Sequence, residues 1–212
     1  MSKGLRTVLS AASLAGVLLA QAGCQQSGRP FPKAGDEPPP PVAQQIDKAS
    51  RLSREAQRLE VAGDDKQAIE KYRAAITEYN ELPAAWNNLG RLLMARGDNL
   101  AAAEAFKTAS ELSPTDPRPL TNLGALWESL GYLDDASKWY DQALQRNENH
   151  QPALRRFLLV QELRGKPDDS TPGRLKKALL MEQDPWWINR FKRFHQRSEE
   201  IAIPSSGGSG TS

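Results

Sequence analysis

Few residues of this chain have the side chains and the spacing that chemistry requires. Cys24 is the only cysteine among 212 residues, which excludes an intrachain disulfide and a multi-cysteine metal site. The two histidines, His150 and His195, have no further ligand at the spacing typical of metal sites. The sequence also shows no nucleophile with a matching base and no glycine-rich phosphate loop. We therefore predict a protein that is not an enzyme and uses no metal or other cofactor.

Cys24 has a chemical context, because the residues before it have the layout of a secretory signal peptide. Lys3 and Arg6 precede an uncharged, largely apolar run at residues 7–20, and small residues follow. The run is shorter than the roughly 20 residues that a membrane-spanning helix needs. The motif at residues 21–24, Gln-Ala-Gly-Cys, resembles the bacterial lipobox, although that pattern prefers leucine at the first of these positions.

The lipobox resemblance implies that residues 1–23 are a lipoprotein signal peptide and that Cys24 is acylated on sulfur. The alternative is an ordinary signal peptide with a free cysteine nearby. Several acyl chains on one terminus give stable membrane anchoring, whereas a single chain binds only marginally. Gln25 is not the aspartate that marks inner-membrane retention in many lipoproteins. We therefore expect a lipid-anchored protein of the cell envelope, on the outer membrane and facing the periplasm.

The two ends of the mature chain have compositions that favour disorder. Residues 24–45 are rich in glutamine, glycine and proline and are predicted to be a disordered, proline-rich tether. Residues 202–212 are predicted to be a disordered tail, because residues 205–212 contain only serine, glycine and threonine. Without residues 1–23 the chain carries 26 basic and 26 acidic side chains. This balance argues against nucleic-acid binding, which depends on clustered lysine and arginine.

The strongest signal in the chain is a self-similarity with a period of 34 residues. It extends over residues 46–150 and divides them into copies at 49–82, 83–116 and 117–150. Small and large side chains recur in seven columns. The columns of small residues are Gly63, Gly97 and Gly131; Ala68, Ala102 and Ala136; Ala75, Ala109 and Ala143; and Ala56, Gly90 and Gly124. The columns of large residues are Leu52, Trp86 and Leu120; Leu59, Leu93 and Trp127; and Tyr72, Phe106 and Tyr140.

Each copy is predicted to form two antiparallel helices. In the second copy, Trp86, Leu89 and Leu93 have the spacing of one apolar stripe on a first helix. Gly97 follows that helix and can adopt the left-handed conformation that ends it. A second helix then begins, with alanines that allow close approach to the first. The fold class predicted from the period is therefore all-α.

This pattern resembles the tetratricopeptide repeat (TPR) family. The second copy carries the whole signature of the family, which consists of Trp86, Leu89, Gly90, Leu93, Ala102, Phe106, Ala109 and Pro114. The third copy departs from it at Glu148, where the family often has proline, and the first at Glu55, where it prefers leucine. The resemblance implies a TPR-type α-α superhelix of three repeats plus C-terminal capping helices, formed by a bacterial TPR lipoprotein.

The resemblance also implies a binding surface. In this family the first helices form a concave wall that holds peptides or protein segments. The inward-facing positions predicted to bind a partner are Asn87, Arg91, Met94, Thr121, Glu128 and Arg155. Asn87 can donate and accept hydrogen bonds, and Arg91 can hold a carboxylate through two parallel bonds. The alternative for each of them is an ordinary solvated side chain. Asn88 and Asn122 recur at one position that the family uses for structure.

Residues 151–201 are predicted to contain a degenerate fourth repeat and C-terminal capping helices. The period fades after His150, although Leu154, Phe157 and Leu158 suit another first helix. A final helix from Pro185 carries Trp187, Phe191 and Phe194 on one face and several arginines around them. Such a helix can cap the repeat stack. It can also bind a membrane, because basic amphipathic helices with aromatic residues do so.

These observations lead to a functional hypothesis with two alternatives. We expect a membrane-anchored TPR scaffold or adaptor that binds a protein partner, or a peptide segment of one, through its concave groove in the cell envelope. One alternative is a peripheral envelope protein whose basic aromatic C-terminal helix binds lipid or cell-wall polymer. Another is a non-catalytic subunit of an envelope enzyme.

Overall fold

The computed structural model describes residues 41–165 and 167–202, with side chains as far as residue 198. These residues lie within one compact unit, Pro40–Ser212. The described part is all-α, as predicted, and it contains nine helices. They are α1 (Val42–Val61), α2 (Asp65–Glu78), α3 (Pro83–Ala95), α4 (Asn99–Leu112), α5 (Arg118–Ser129), α6 (Leu133–Arg146), α7 (Gln151–Arg164), α8 (Thr171–Met181) and α9 (Pro185–Ala202). None of these helices is both long and apolar enough to cross a bilayer.

Left-handed glycines end the first helix of each pair. Gly63, Gly97 and Gly131 have φ values of 79°, 83° and 82°, a conformation that residues with a Cβ rarely adopt. Gly165 has a φ of 66° and lies 34 residues after Gly131. The period therefore continues past His150, at a position where the sequence analysis expected it to fade.

Close packing between the two helices of a pair depends on the columns of small residues. A Cβ added at Gly90 would lie 2.6 Å from the Phe106 ring, and one at Gly124 would lie 2.5 Å from the Tyr140 ring. Ala102 and Ala136 are fully buried between helices. The predicted pairing of helices within each repeat is thus confirmed.

The curvature of the stack is set by which helices touch along it. The first helices α3, α5 and α7 make contacts with one another from repeat to repeat. Among the described helices, no two consecutive second helices show a comparable set of contacts. The first helices therefore line the concave side, and grooves open between the second helices on the convex side.

The helix that begins the stack differs from the prediction at its start. Helix α1 begins at Val42, so residues 42–45, assigned to the tether at 24–45, are helical. Pro41 stands at the N-cap, where its missing N–H costs nothing. Arg51, Arg54 and Arg58 are exposed on α1. In later first helices the counterparts of Arg51 and Arg58 are apolar and buried, so this face of α1 is suited to solvent and ends the stack.

The fourth repeat has a shortened second helix. Helices α2, α4 and α6 begin two residues after their turn glycine, whereas α8 begins six residues after Gly165. The fully buried Gln161 holds the intervening loop by donating to Ser137 Oγ at 2.8 Å and to Asp168 Oδ2 at 2.7 Å. Asp168 in turn accepts from the hydroxyls of Ser170 and Thr171. This polar network replaces the missing first turn.

Helix α9 covers the last pair. Phe191 and Phe194 are 2% and 5% exposed, and Trp187 packs against the same core. Helix α9 contacts both α7 and α8. Because the aromatic side chains predicted to bind either a membrane or the stack are turned into the protein, their burial favours the capping role.

Candidate peptide-binding groove

The concave groove is formed by the open faces of α1, α3, α5 and α7. All six positions predicted to bind a partner lie on α3, α5 and α7. The structure gives most of them intramolecular partners, and Cys24 lies outside the described residues. Their availability to a ligand therefore depends on what each one already contacts.

Arg91 is the most exposed of the six residues predicted to bind a partner. Its Nη2 donates to Glu60 Oε1 at 2.7 Å, across the boundary between the first and second repeats. Its side chain is 49% exposed, compared with 21% for Glu60. A guanidinium has five N–H donors, so the pairing fixes Arg91 in place while leaving donors for a ligand.

Asn87 lies beside a second cross-repeat contact. Its Oδ1 accepts a hydrogen bond of 2.8 Å from the amide nitrogen of Asn122. The Asn87 amide nitrogen donates to no acceptor within the described part of the chain, so it is available to donate to a ligand. Asn88, one residue away, donates to the Tyr72 hydroxyl at 3.1 Å, in agreement with its predicted structural role.

Thr121 and Met94 are less suited to ligand contact than predicted. The Thr121 hydroxyl donates to the carbonyl of Pro117 at 2.9 Å, and the residue is 9% exposed. Met94 is partly buried and packs against the core. Both residues shape the groove floor more than they present groups to a partner.

Glu128 accepts a hydrogen bond from a tyrosine, and this tyrosine–glutamate pair recurs along the groove. The Tyr140 hydroxyl donates to Glu128 Oε2 at 2.6 Å, and Arg156 donates to Glu128 Oε1 at 3.0 Å. Tyr72 donates to Glu60 in the same way at 3.4 Å. Burial raises the pKa of Tyr72 to about 12, and burial together with the Glu128 contact raises the pKa of Tyr140 further.

The second repeat shows that the tyrosine and the glutamate of this pair change together. It has Phe106 at the tyrosine position, and there Met94 replaces the glutamate. A glutamate thus stands where a tyrosine hydroxyl needs an acceptor, and an apolar side chain stands where no hydroxyl is present. Sequence reasoning missed this pairing, although the joint change at two columns of one repeat is visible in the sequence.

Arg155 is committed to a contact at the C-terminal end of the groove. Its Nε and Nη2 each donate to Glu182 at 2.7 Å, and its guanidinium lies 5.5 Å from the Trp187 ring centre. The Glu182 side chain is 2% exposed. The Arg155 hydrogen bonds lower the pKa of Glu182 to about 2. Arg155 therefore joins α7 to the segment before α9 and is poorly placed to grip a ligand carboxylate.

Chemically, the groove offers amide and guanidinium donors between paired charges. The described residues contain no group of three or more histidine, cysteine, aspartate or glutamate side chains placed to hold a metal ion. Partly exposed apolar atoms of Ala125 and Leu159 lie on the same helices. Such a surface is suited to an extended segment with both polar and apolar side chains.

Two sequence profiles described as tetratricopeptide repeat match this chain, at residues 53–117 and 93–158. Together they cover residues 53–158, which is half of the chain. These bounds include the three predicted repeats almost completely.

Curated proteins match the same region. The photosystem I assembly protein Ycf3 of Synechococcus sp. (strain CC9902) is 30% identical over 91 residues, which are 38% of this chain and 53% of that protein. The human Superkiller complex protein 3 is 29% identical over 94 residues, which are 44% of this chain and 6% of that protein. The chain thus spans about half or less of the length of these relatives.

Solved structures share the fold. The structure titled "Functional Characterization of Pseudomonas Aeruginosa pilF" superposes with a TM-score of 0.63 at 16% identity, over 74% of this chain and 72% of that one. A crystal structure of MamA gives a TM-score of 0.54 at 15% identity, over 75% and 87%. The first TPR of Spaghetti (RPAP3), bound to the HSP90 peptide SRMEEVD, gives 0.54 at 18% identity, over 57% and 96%. Repeat period, helix pairing and sequence profiles agree, and the chain belongs to the tetratricopeptide repeat family, whose domains are protein-binding scaffolds.

Proposed function

We propose that this chain is a lipid-anchored TPR scaffold of the bacterial cell envelope, which holds a segment of a protein partner in its concave groove and catalyses no reaction. The observation that carries the proposal is the position of Asn87 and Arg91. Both lie on the concave face of α3, each is held by a neighbouring repeat, and each retains N–H donors that this contact does not use.

The paired charges of the groove define the partner that fits. Glu60 and Arg91 neutralise one another, as do Glu128 and Arg156. A strongly charged segment would have to break these pairs, whereas an extended segment with one carboxylate needs only the unused donors of Arg91. The HSP90 peptide bound by the TPR of Spaghetti offers a precedent for a peptide occupant, on that protein.

Anchoring is proposed from the sequence around Cys24. Acylation of Cys24 would tie the protein to the outer membrane, with the repeats facing the periplasm. Sixteen residues lie between Cys24 and Pro41, where the described part begins. A fully extended chain spans about 3.3–3.6 Å per residue, so the repeats would remain within roughly 60 Å of the anchor.

A photocrosslinking experiment tests the groove. A photoreactive amino acid replaces Arg91 in the full chain, and a matched variant carries it at Lys107, an exposed position on the second helix α4. Irradiation of intact cells should give a protein adduct from position 91 and none of the same size from position 107. Equal adducts from both positions, or none from position 91, would contradict binding through the groove.

Metabolic labelling tests the anchor separately. The wild-type chain should incorporate a clickable fatty acid and sediment with outer membranes, and Cys24→Ser should do neither. Labelling that persists in Cys24→Ser would refute acylation at this residue, whatever the outcome of the crosslinking experiment.

A further inference from the structure

Three equivalent grooves lie on the convex side, between consecutive second helices. Each groove has one wall from the end of the earlier helix and one from the start of the later helix. The 34-residue period places Ala105 and Trp139 at the same position on the later wall of the first two grooves. The size of this residue decides whether the groove is open.

The chain fills the middle groove, between α4 and α6, with its own side chains. The indole of Trp139 is partly buried and packs against the core. Arg146 adds hydrogen bonds to Ser110 Oγ at 2.7 Å and to the carbonyl of Asp116 at 3.0 Å. A large aromatic side chain therefore fits this type of groove, on the evidence of the protein itself.

The α2/α4 groove is open, because Ala105 replaces the tryptophan. The cavity has a volume of about 390 Å³. Its lining includes Ile76, Thr77, Trp86, Leu89 and Ala105. Arg73 and Glu104 carry opposite charges at its two walls, and neither forms an ion pair within the described residues. The third groove, between α6 and α8, is lined by Arg174, Lys177 and Glu148 and is more polar.

A side chain of matching type is exposed at the other end of the stack. Trp186, the second residue of α9, is 55% exposed, although tryptophan is usually well buried. Asp184 lies two residues before it, and the Arg190 guanidinium lies 5.4 Å from its ring centre. Trp186 is thus flanked by an acid and a base, as the mouth of the α2/α4 groove is flanked by Arg73 and Glu104.

The charges of the two ends are complementary as well. Residues 49–150 contain 12 basic and 16 acidic side chains, and residues 151–212 contain 11 basic and 7 acidic ones. The repeats of one copy, with their excess of acidic side chains, would attract the basic C-terminal part of another.

We propose that a second copy of this chain docks on the convex side, with its Trp186 inserted into the α2/α4 groove. This contact is heterologous, because the two partners use different surfaces, so it joins copies head to tail. It leaves the concave groove of every copy free for the partner described above. The inference therefore goes beyond the proposed function and does not depend on it.

Sedimentation velocity of the full chain over a range of concentrations tests the self-association. Trp186→Ala and Ala105→Trp should each weaken it by roughly tenfold or more, since aromatic anchors in pockets dominate such interfaces. Tyr132→Ala is the matched control, because Tyr132 is an equally exposed aromatic residue, at 56%, away from both surfaces. This control should associate like the wild type.

Mixing the two defective variants gives the sharper test. Trp186→Ala retains the open groove, and Ala105→Trp retains the exposed tryptophan, so an equimolar mixture should form a 1:1 dimer that grows no further. A monomeric mixture, or self-association of either variant at wild-type strength, would overturn the proposal.

A second blocking variant guards against misfolding at the buried Ala105. Thr77→Trp places the indole on the exposed rim of the α2/α4 groove, where Thr77 makes only a hydrogen bond to the backbone of its own helix. Far-ultraviolet circular dichroism should show unchanged helix content. Full association by a folded Thr77→Trp chain would likewise refute docking in this groove.

Discussion

Glu182 receives two hydrogen bonds of 2.7 Å from Arg155, and this pair connects the last wall of the concave groove to the helix that caps the stack. Glu182 also accepts from the backbone N–H groups of Gln183 and Asp184 at 3.0 Å each. The carboxylate thus determines both the turn into α9 and the orientation of Arg155.

Substitution of this carboxylate should lower stability in a pH-dependent way. The folded pKa of Glu182 is about 2, below the ordinary value of 4.5, so its contribution is present at neutral pH and is lost as the pH falls from about 4.5 towards 2. We expect Glu182→Gln to lower the free energy of unfolding by about 3 kcal/mol at pH 7.

Urea denaturation at pH 7 and at pH 3 measures this effect. The difference between wild type and Glu182→Gln should shrink at pH 3. A difference that is equal at both pH values would show that the charge of Glu182 contributes little to the fold.

Replacement of helical glycines by alanine should show whether a glycine is needed for close contact between two helices. A glycine that is not needed for such a contact should only lower helix propensity. Gly124→Ala puts a Cβ against the Tyr140 ring, and overpacking of this kind costs about 1–3 kcal/mol. Gly173→Ala is the matched control, because no atom lies within 4 Å of the new Cβ and alanine favours a helix. Thermal unfolding should show a lower Tm for Gly124→Ala and an unchanged or higher Tm for Gly173→Ala.

The tyrosine and glutamate pairs should be replaceable only together. Tyr140→Phe removes the donor to Glu128 and should cost about 1 kcal/mol. The double variant Tyr140→Phe with Glu128→Met copies the arrangement of the second repeat and should cost no more than the single variant. Arg156 loses its partner there, but it is 52% exposed and this loss should be small. Urea denaturation of both single variants and the double variant measures the coupling between Tyr140 and Glu128. If the losses in the free energy of unfolding simply add, the two residues do not act as a pair.

The buried Gln161 should control the loop before α8. Gln161→Leu restores the apolar residue of the earlier repeats, but it leaves Ser137 and Asp168 without that donor, at a cost of about 1–3 kcal/mol. Hydrogen exchange should become faster at the backbone amide of Asp168, which donates to Gln161 Oε1. The exposed Gln145→Leu serves as the control, and unchanged exchange in Gln161→Leu would show that the loop is held by other contacts.

The period predicted the paired helices, because the columns of glycine and alanine report helix turns and helix contacts directly, and the resemblance to the tetratricopeptide repeat family predicted how the pairs stack. The fourth repeat was predicted only as degenerate, because the shift of α8 moves Thr171, Leu175 and Ala178 out of register although Gly165 continues its column. The groove was predicted only in outline. Which side chains face it was implied by the resemblance to the tetratricopeptide repeat family, but the pairing of Arg91 with Glu60 and of Arg155 with Glu182 depends on distances between helices that the sequence does not contain.

The hydrogen bonds of Arg146 have a mechanical consequence. Arg146 ties α6 to the loop that precedes α5, through the carbonyls of Ser113 and Asp116, and Trp139 fills the same junction. The junction between the first and second repeats has neither support on its convex side. When a load bends this protein, the compliance should therefore concentrate between α2 and α4, and the later repeats should move as one stiff block.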